Sequence, residues 1–156
     1  MKPIVIVENI RSAYNVGNII RTADGLWYDV ILSGFSPSPY ENESVKKTSL
    51  GAEEQVNLRQ FRHVQEAIDN VKGAGYVLIS AEIVPWKSIS LDLVPDSIDA
   101  APIALVVGNE KTWVMQATLD QSEHIVHIPM QGLKESLNVG QAAAIFMWEL
   151  KNSLAL

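Results

Sequence analysis

The first residues that could do chemistry lie near the N-terminus, in the stretch Asn15-Val-Gly-Asn-Ile-Ile-Arg21-Thr-Ala23. Apolar residues recur there at helical spacing, so a helix with Asn15 as its N-cap directs Arg21 away from the core. A helix start that contains asparagine and glycine offers backbone N–H donors and little bulk, which suits a phosphate or a ribose. The alternative, a capped surface helix with a solvated arginine, stays open because exposed arginines are common.

A second group, Val107-Gly108-Asn109-Glu110-Lys111-Thr112, follows an apolar run. Glycine at a strand end lets a ligand approach the backbone. The Lys-Thr pair is typical of a phosphate-binding P-loop, but that motif requires glycine directly before the lysine. Glu110 occupies that position, and its carboxylate would repel phosphate, so we reject the P-loop. The chain also lacks a G-x-G-x-x-G motif, and a Rossmann dinucleotide site is unsupported.

A third group, IPMQGLKESLN, runs from Ile128 to Asn138. Its pattern predicts a strand end, a glycine-containing loop and a helix start capped by Ser136. Such a segment supplies many backbone amides and carbonyls around a cavity. Taken alone, it is equally compatible with an ordinary capped turn.

The elements that position these groups alternate between strands and helices. Apolar runs predict strands at 4–7, 29–33, 56–61, 76–82, 103–107 and 125–128. Amphipathic patterns and caps predict helices at 15–25, 44–49, 64–73, 113–120 and 137–151, with a long surface connection over 85–102. This alternation predicts an α/β fold with a mainly parallel sheet flanked by helices. Ligands in such sheets bind at the carboxyl ends of strands. The second and third groups lie at such ends, and so does the segment that leads into the first group.

The final helix is apolar around its whole circumference, which predicts burial on all sides. Its small residues, Gly140 and Ala142 to Ala144, permit close approach of another segment. Either other parts of the chain wrap it or it forms a subunit interface. A plain core helix is the competing interpretation.

Composition limits the function classes. The 156 residues match one ordinary domain, which we take to span 1–156, and 47% are hydrophobic. No apolar run is long enough to cross a bilayer, and the N-terminus lacks a signal-peptide layout. The absence of cysteine excludes disulfides, thiolate metal sites and a cysteine nucleophile, and it fits a reducing cytoplasm. His124 and His127 would face opposite sides of a strand, so no metal site is expected.

The formal net charge of −6 argues against a generic cationic nucleic-acid binder. An RNA enzyme of this composition must concentrate its cations locally or obtain them from a dimer or partner. The cations expected near an RNA are Arg11, Lys46, Lys47, Lys111 and Lys134.

In this order, NVGNIIRTAD, LVVGNE and IPMQGLKESLNVGQAAA resemble motifs 1, 2 and 3 of the SpoU/TrmH branch of the SPOUT RNA methyltransferases. KTSLGAEE (Lys47 to Glu54) also resembles a family segment, and the likeness extends from Ile4 to Glu149. The resemblance implies a parallel sheet with a deep C-terminal trefoil knot and a homodimer. It also implies transfer of a methyl group from S-adenosylmethionine to a ribose 2′-hydroxyl of tRNA or rRNA, without a metal.

The same resemblance assigns roles to residues. The catalytic set that it implies is Asn15, Arg21, Glu110, Ser136 and Asn138. The cofactor-binding set that it implies is Ile79, Ala81, Gly108, Asn109, Ile128, Met130 and Leu137. In the family the counterpart of Arg21 is proposed to take the 2′-hydroxyl proton. A free guanidinium keeps its proton to a pKa above about 12, so clamping a phosphate is the alternative role.

Two positions depart from the family pattern. Lys111-Thr112-Trp113 follows Glu110 where relatives usually carry a glycine, and Gly140-Gln141 replaces the commoner small or β-branched pair. The first departure puts the shape of the motif 2 loop in doubt. A non-catalytic RNA- or ribosome-binding module on the same scaffold is therefore the alternative function. No extra RNA-binding domain is evident, which favours a compact substrate such as a tRNA anticodon stem-loop.

Overall fold

The computed structural model describes residues 1–94, 98 and 101–153. Within them, seven strands form a single parallel sheet in the order β3-β2-β1-β6-β4-β7-β5. The strands are β1 (Ile4–Glu8), β2 (Asp29–Ser33), β3 (Leu58–Phe61), β4 (Val77–Ala81), β5 (Ile89–Ser90), β6 (Ile103–Val107) and β7 (His124–His127). The helices in this part are α1 (Ala13–Leu26), α2 (Glu43–Ser49), α3 (Val64–Gly73), α4 (Gln116–Leu119) and α5 (Val139–Ser153). The expected α/β fold with a parallel sheet flanked by helices is confirmed.

Side chains alternate across the sheet and build a core on each face. On β1, Val5 and Val7 face the layer that contains α1 and α5, whereas Ile4 and Ile6 face the layer that contains α3. Continuous apolar runs are expected for strands covered on both faces. No helix in the described part of the chain is long and apolar enough to span a bilayer.

The start of α1 differs from the sequence prediction. Ser12 is the N-cap, and its hydroxyl accepts a hydrogen bond from the backbone N–H of Asn15 (3.3 Å). Asn15 therefore lies inside the helix. The helix continues past Gly25 and ends at Leu26, with Trp27 (φ 64°) as its C-cap. Gly17 lies inside the helix rather than at its start, and a Cβ there would lie 1.8 Å from Thr48 Oγ1 on α2. This glycine serves close packing of α1 against α2.

The start of α5 also differs. The side chain of Asn138, rather than Ser136, accepts the hydrogen bond from Gly140 N (2.9 Å) at the first turn. Only one face of the helix is buried, so the other described segments do not wrap it, and a subunit interface stays a prediction. Ile145 and Trp148 on the other face are 42% and 59% exposed.

Smaller differences concern the loops. The predicted helix at 113–120 is reduced to α4, because Trp113 instead forms a bridge with Asn109. The 85–102 connection contains β5 and a short 3-10 turn at Leu91–Leu93, and part of it lies outside the described residues.

Candidate active site

A cleft with an accessible volume of about 110 Å³ lies at the carboxyl ends of β4, β6 and β7. Its apolar lining comprises Ala81, Ile83, Val107, Trp113, Ile128, Met130, Leu137, Val139, Ala142 and Phe146. Its polar lining comprises Glu82, Asn109, Glu110, His127, Glu135 and Ser136, with Gly108 between strand and loop. The lining of the cleft therefore combines apolar and polar side chains.

Six of the seven residues predicted to bind the cofactor line this cleft: Ala81, Gly108, Asn109, Ile128, Met130 and Leu137. Ile79 does not. It is fully buried in β4, two residues before Ala81, where it pairs with Leu105 and His124. Ala81, the last residue of β4, is the residue of that strand that lines the cleft.

The loop after β6 is shaped by Asn109. Its side-chain oxygen accepts a hydrogen bond from Lys111 N (2.7 Å), and its side-chain amide donates to Asn9 O (2.8 Å). Trp113 has a φ of 62°, the left-handed region that favours glycine. The loop thus makes its turn without the glycine that relatives usually carry after Glu110.

Gly108 also permits a close approach within the chain. A Cβ at this position would lie 2.5 Å from Val114 N and 2.6 Å from the carbonyl carbon of Trp113. The neighbouring space is therefore taken by the returning loop of the same chain. The glycine permits that return at the edge of the cleft.

Two carboxylates that the sequence reasoning missed hold the loop in place. Glu8, at the end of β1, accepts hydrogen bonds from Met115 N (2.6 Å) and from the Thr118 hydroxyl (2.7 Å). Glu82, which follows β4, accepts from Val114 N (3.1 Å). Burial raises the pKa of Glu8, against the lowering effect of its two hydrogen bonds. A charged residue ending the apolar run IVIVE was the available signal.

A chain of hydrogen bonds joins the three motifs. The Asn15 side-chain amide donates to the carboxylate of Glu110. The Asn138 side-chain amide donates to Asn15 Oδ1 (3.1 Å). Asn15 is only 4% exposed, so its side chain is fixed between the other two. Segments far apart in sequence thus meet at one place, with Glu110 in the lining of the cleft.

Arg21 and Ser136 lie on different sides of this series of hydrogen bonds. Arg21 is exposed and lines a polar groove between α1 and the start of α5, together with Asn138. Ser136 lines the cleft instead. Of the five residues predicted to be catalytic, the hydrogen-bonded chain unites Asn15, Glu110 and Asn138. It extends from the cleft to the groove that contains Arg21.

The model of the SpoU rRNA Methylase family matches residues 2–148. A curated relative from Borreliella burgdorferi, named as an uncharacterized tRNA/rRNA methyltransferase, is 28% identical over 153 residues, which cover 98% of this chain and 65% of the relative. The chain spans 58–65% of the length of the first curated relatives that it matches.

Solved structures agree with this match. The SpoU methyltransferase AviRb from Streptomyces viridochromogenes, solved with AdoMet, has a TM-score of 0.83 and 25% identity, covering 98% of this chain and 61% of that one. A structure named as an RNA 2′-O ribose methyltransferase has a TM-score of 0.84 and 24% identity, covering 99% of this chain and 57% of that one, and so shares the fold. The resemblance found in the three motifs is therefore confirmed, and the chain belongs to the SpoU rRNA methylase family.

Proposed function

We propose that this chain transfers a methyl group from S-adenosylmethionine to a ribose 2′-hydroxyl of tRNA or rRNA in the cytoplasm. The family match and a relative with bound AdoMet support the methyl donor. The single observation that carries the proposal is the hydrogen-bonded chain through Asn15. It connects Glu110 in the cleft to Asn138 in the groove of Arg21.

The cleft fits S-adenosylmethionine chemically. Apolar residues such as Ile128 and Phe146 suit the adenine ring, and backbone groups beside Gly108 and Leu137 suit its polar edge. Glu82 and Glu135 contribute carboxylates to the lining, which suits a ligand with cationic groups. His127, also in the lining, has a buried Nδ1 without a hydrogen-bond partner among the described residues. When bound, this cofactor supplies a methyl group already activated by a positively charged sulfur.

The protein's task is then to position the ribose oxygen and to assist loss of its proton. The groove beside the cleft is where we place the ribose, because Arg21 and Asn138 both line it. Arg21 clamps a neighbouring phosphate and orients the hydroxyl, a role that its permanent charge and forked donors suit. Glu110 and Asn15 hold Asn138 in position. Ser136, on the cleft side, contacts the cofactor or the ribose.

We further propose that the chain is a single domain with the family's trefoil knot and that it acts as a homodimer. The exposed face of α5 supports the dimer, since Ile145 and Trp148 are apolar and uncovered. Tyr14 on α1, which is 62% exposed, borders the Arg21 groove. A subunit packed there would bury this apolar surface and bring a second set of cations near the RNA.

Two measurements on the purified chain test the function. Calorimetry with S-adenosylmethionine should show saturable binding. Incubation with tritiated S-adenosylmethionine and total tRNA or rRNA should label the RNA, and alkaline hydrolysis should leave the label in resistant dinucleotides, because a 2′-O-methyl blocks cleavage. Label in alkali-labile mononucleotides would move the acceptor to a base. Absence of cofactor binding would favour the non-catalytic RNA-binding module.

A further inference from the structure

A second groove lies next to the cofactor cleft, between the β2–α2 loop and the motif 2 loop. It is lined by Asn9, Arg11, Ser12, Phe35, Asn109, Glu110, Lys111 and Thr112. Asn109 and Glu110 also line the cofactor cleft, so the two share a wall. We call this surface the Phe35 groove.

An aromatic ring and a guanidinium are stacked at the edge of this groove. The Arg11 guanidinium lies 5.0 Å from the centroid of the Phe35 ring, within the range of a cation–π contact. Phe35 is nevertheless 70% exposed. An exposed aromatic ring paired with a guanidinium offers flat surfaces on which a nucleobase stacks.

Hydrogen bonds hold Phe35 in place. Asn9 has a φ of 54°, and its side-chain oxygen accepts from Phe35 N (3.1 Å). Gly34 has a φ of 63°, and a Cβ there would lie 2.0 Å from the same oxygen. Asn109 donates to Asn9 O (2.8 Å), which ties this turn to the motif 2 loop. The aromatic ring is thus built onto the rim of the active site by several specific contacts.

The groove also carries positive charge in an acidic protein. Arg11 and Lys111 both line it, and the three ion pairs found within the described residues involve other cations. The one carboxylate in the lining, Glu110, accepts a hydrogen bond from Asn15. The lining thus carries two cations and one carboxylate, a local excess of positive charge in a chain with a net charge of −6, and this excess favours a phosphate.

We propose that the Phe35 groove binds an unpaired nucleotide of the RNA substrate, with its base on Phe35 and Arg11 and its phosphate at Lys111. The inference rests on the proposed function, because it supplies the RNA-binding subsite beside the reacting ribose. A paired base has both faces covered by its neighbours in the stack, so the nucleotide must come from a loop, a bulge or a flipped position.

Short labelled RNAs test this subsite. Fluorescence anisotropy with 5′-fluorescein octa-adenylate and octa-uridylate, in low salt, gives affinities for single-stranded RNA. We expect Phe35→Leu to weaken binding by at least about fivefold, because a base stacked on an aromatic ring contributes about 1–3 kcal/mol. Phe35→Tyr should bind like the wild type. Lys111→Gln should lower the salt dependence by about 0.7 in the log–log slope, as loss of one phosphate contact requires.

Two matched control variants distinguish binding in this groove from non-specific RNA binding. Trp86→Leu removes a fully exposed aromatic ring, and Lys87→Gln removes an exposed cation, both outside the groove. Both controls should leave the affinity within twofold. A Phe35→Leu protein that binds RNA like the wild type would overturn the proposal, as would a wild type that binds neither oligonucleotide.

Calorimetry with S-adenosylmethionine on the same variants keeps the two proposals distinct. Unchanged cofactor affinity in Phe35→Leu, with weakened RNA binding, supports the subsite and shows that the variant is folded. If the wild-type protein does not bind the cofactor, weaker RNA binding by Phe35→Leu still supports the subsite. That result would contradict only the proposed methyl transfer.

Discussion

The side-chain amide of Asn15 donates a hydrogen bond to the carboxylate of Glu110, which lies 95 positions later in the sequence. The two residues follow neighbouring strands, β1 and β6, so the contact depends on that strand pairing. Asn15 can take part in two hydrogen bonds at once because its amide donates and its oxygen accepts. Replacing Asn15 by a residue that can only donate or only accept should disrupt one of these two hydrogen bonds.

Asn15→Asp should therefore be destabilising. Two carboxylates would face each other, and the one on α1 would be buried, so we expect a loss of about 1–3 kcal/mol at pH 8. Methyl transfer should fall as well, because Asn138 loses its partner. Protonation of one carboxylate should restore part of the stability as the pH is lowered. Thermal melts across pH values measure this.

Glu110→Gln provides the matched control. In the double variant the glutamine amide can donate to the new aspartate, so the two substitutions together should cost less than their sum. Strictly additive losses in the double-mutant cycle would show that the two side chains do not interact.

Arg21→Ala should separate catalysis from cofactor binding. The residue lines the polar groove and is absent from the lining of the cleft, so affinity for S-adenosylmethionine should stay within about twofold while turnover falls by about 100-fold or more. Arg21→Lys should keep part of the activity if the residue acts as a phosphate clamp, because the charge is retained. Single-turnover methylation of RNA and calorimetry measure the two effects. Normal turnover in Arg21→Ala would remove this residue from the mechanism.

Two glycines of α1 should respond oppositely to alanine. Gly17→Ala would place a Cβ 2.5 Å from Val45 O, so we expect the free energy of unfolding to fall by about 1–3 kcal/mol. Gly25→Ala meets no atom within 4 Å and should raise it by about 0.5–1 kcal/mol, since alanine favours the helix. Urea unfolding of both variants measures the difference. Equal effects would mean that contact between α1 and α2 at Gly17 is looser than described.

Glu8→Gln should change how stability depends on pH. Burial raises the pKa of Glu8 above the value of about 4.5 expected in the unfolded chain. The stability associated with its protonated form is therefore complete below pH 4.5 and is lost as the pH rises through the folded-state pKa. A glutamine can accept from Met115 N and donate to the Thr118 hydroxyl. Relative to the wild type, the variant should gain stability as the pH is raised from 4.5 to 8, and a constant difference would contradict the raised pKa.

The strands were largely predictable because their apolar runs are short and bounded. The runs at 29–33 and 103–107 became β2 and β6 without change. Helix starts were less predictable, because Ser12 and Asn15 are both N-cap residue types three positions apart. The same ambiguity between Ser136 and Asn138 misplaced the start of α5. Both residues that were wrongly predicted as caps belong to the site. Asn15 takes part in the hydrogen bonds between the motifs, and Ser136 lines the cleft.

The site was predictable as a set of segments but not as a network. Parallel strands bring their carboxyl ends to one edge, which correctly grouped Gly108 with Ile128. The contact of Asn15 with Glu110 required the strand order, which periodicity does not contain. The roles of Glu8 and Glu82 were also not predictable. Both accept hydrogen bonds from the segment after β6, whose conformation could not be inferred because its sequence departs from the family pattern.

The pairing of β1 with β6 has a consequence for how the chain reaches this structure. Ile4 lies beside Ala104, so the centre of the sheet cannot close until about 100 residues have been synthesised and brought together. Parallel sheets with such distant partners fold slowly, because the entropy of loop closure is lost before the contacts form. During synthesis β1 and β2 can pair early, but one edge of β1 stays open until β6 arrives. The Asn15–Glu110 contact beside this pairing therefore cannot form on a nascent chain from which β6 and the loop after it have not yet emerged.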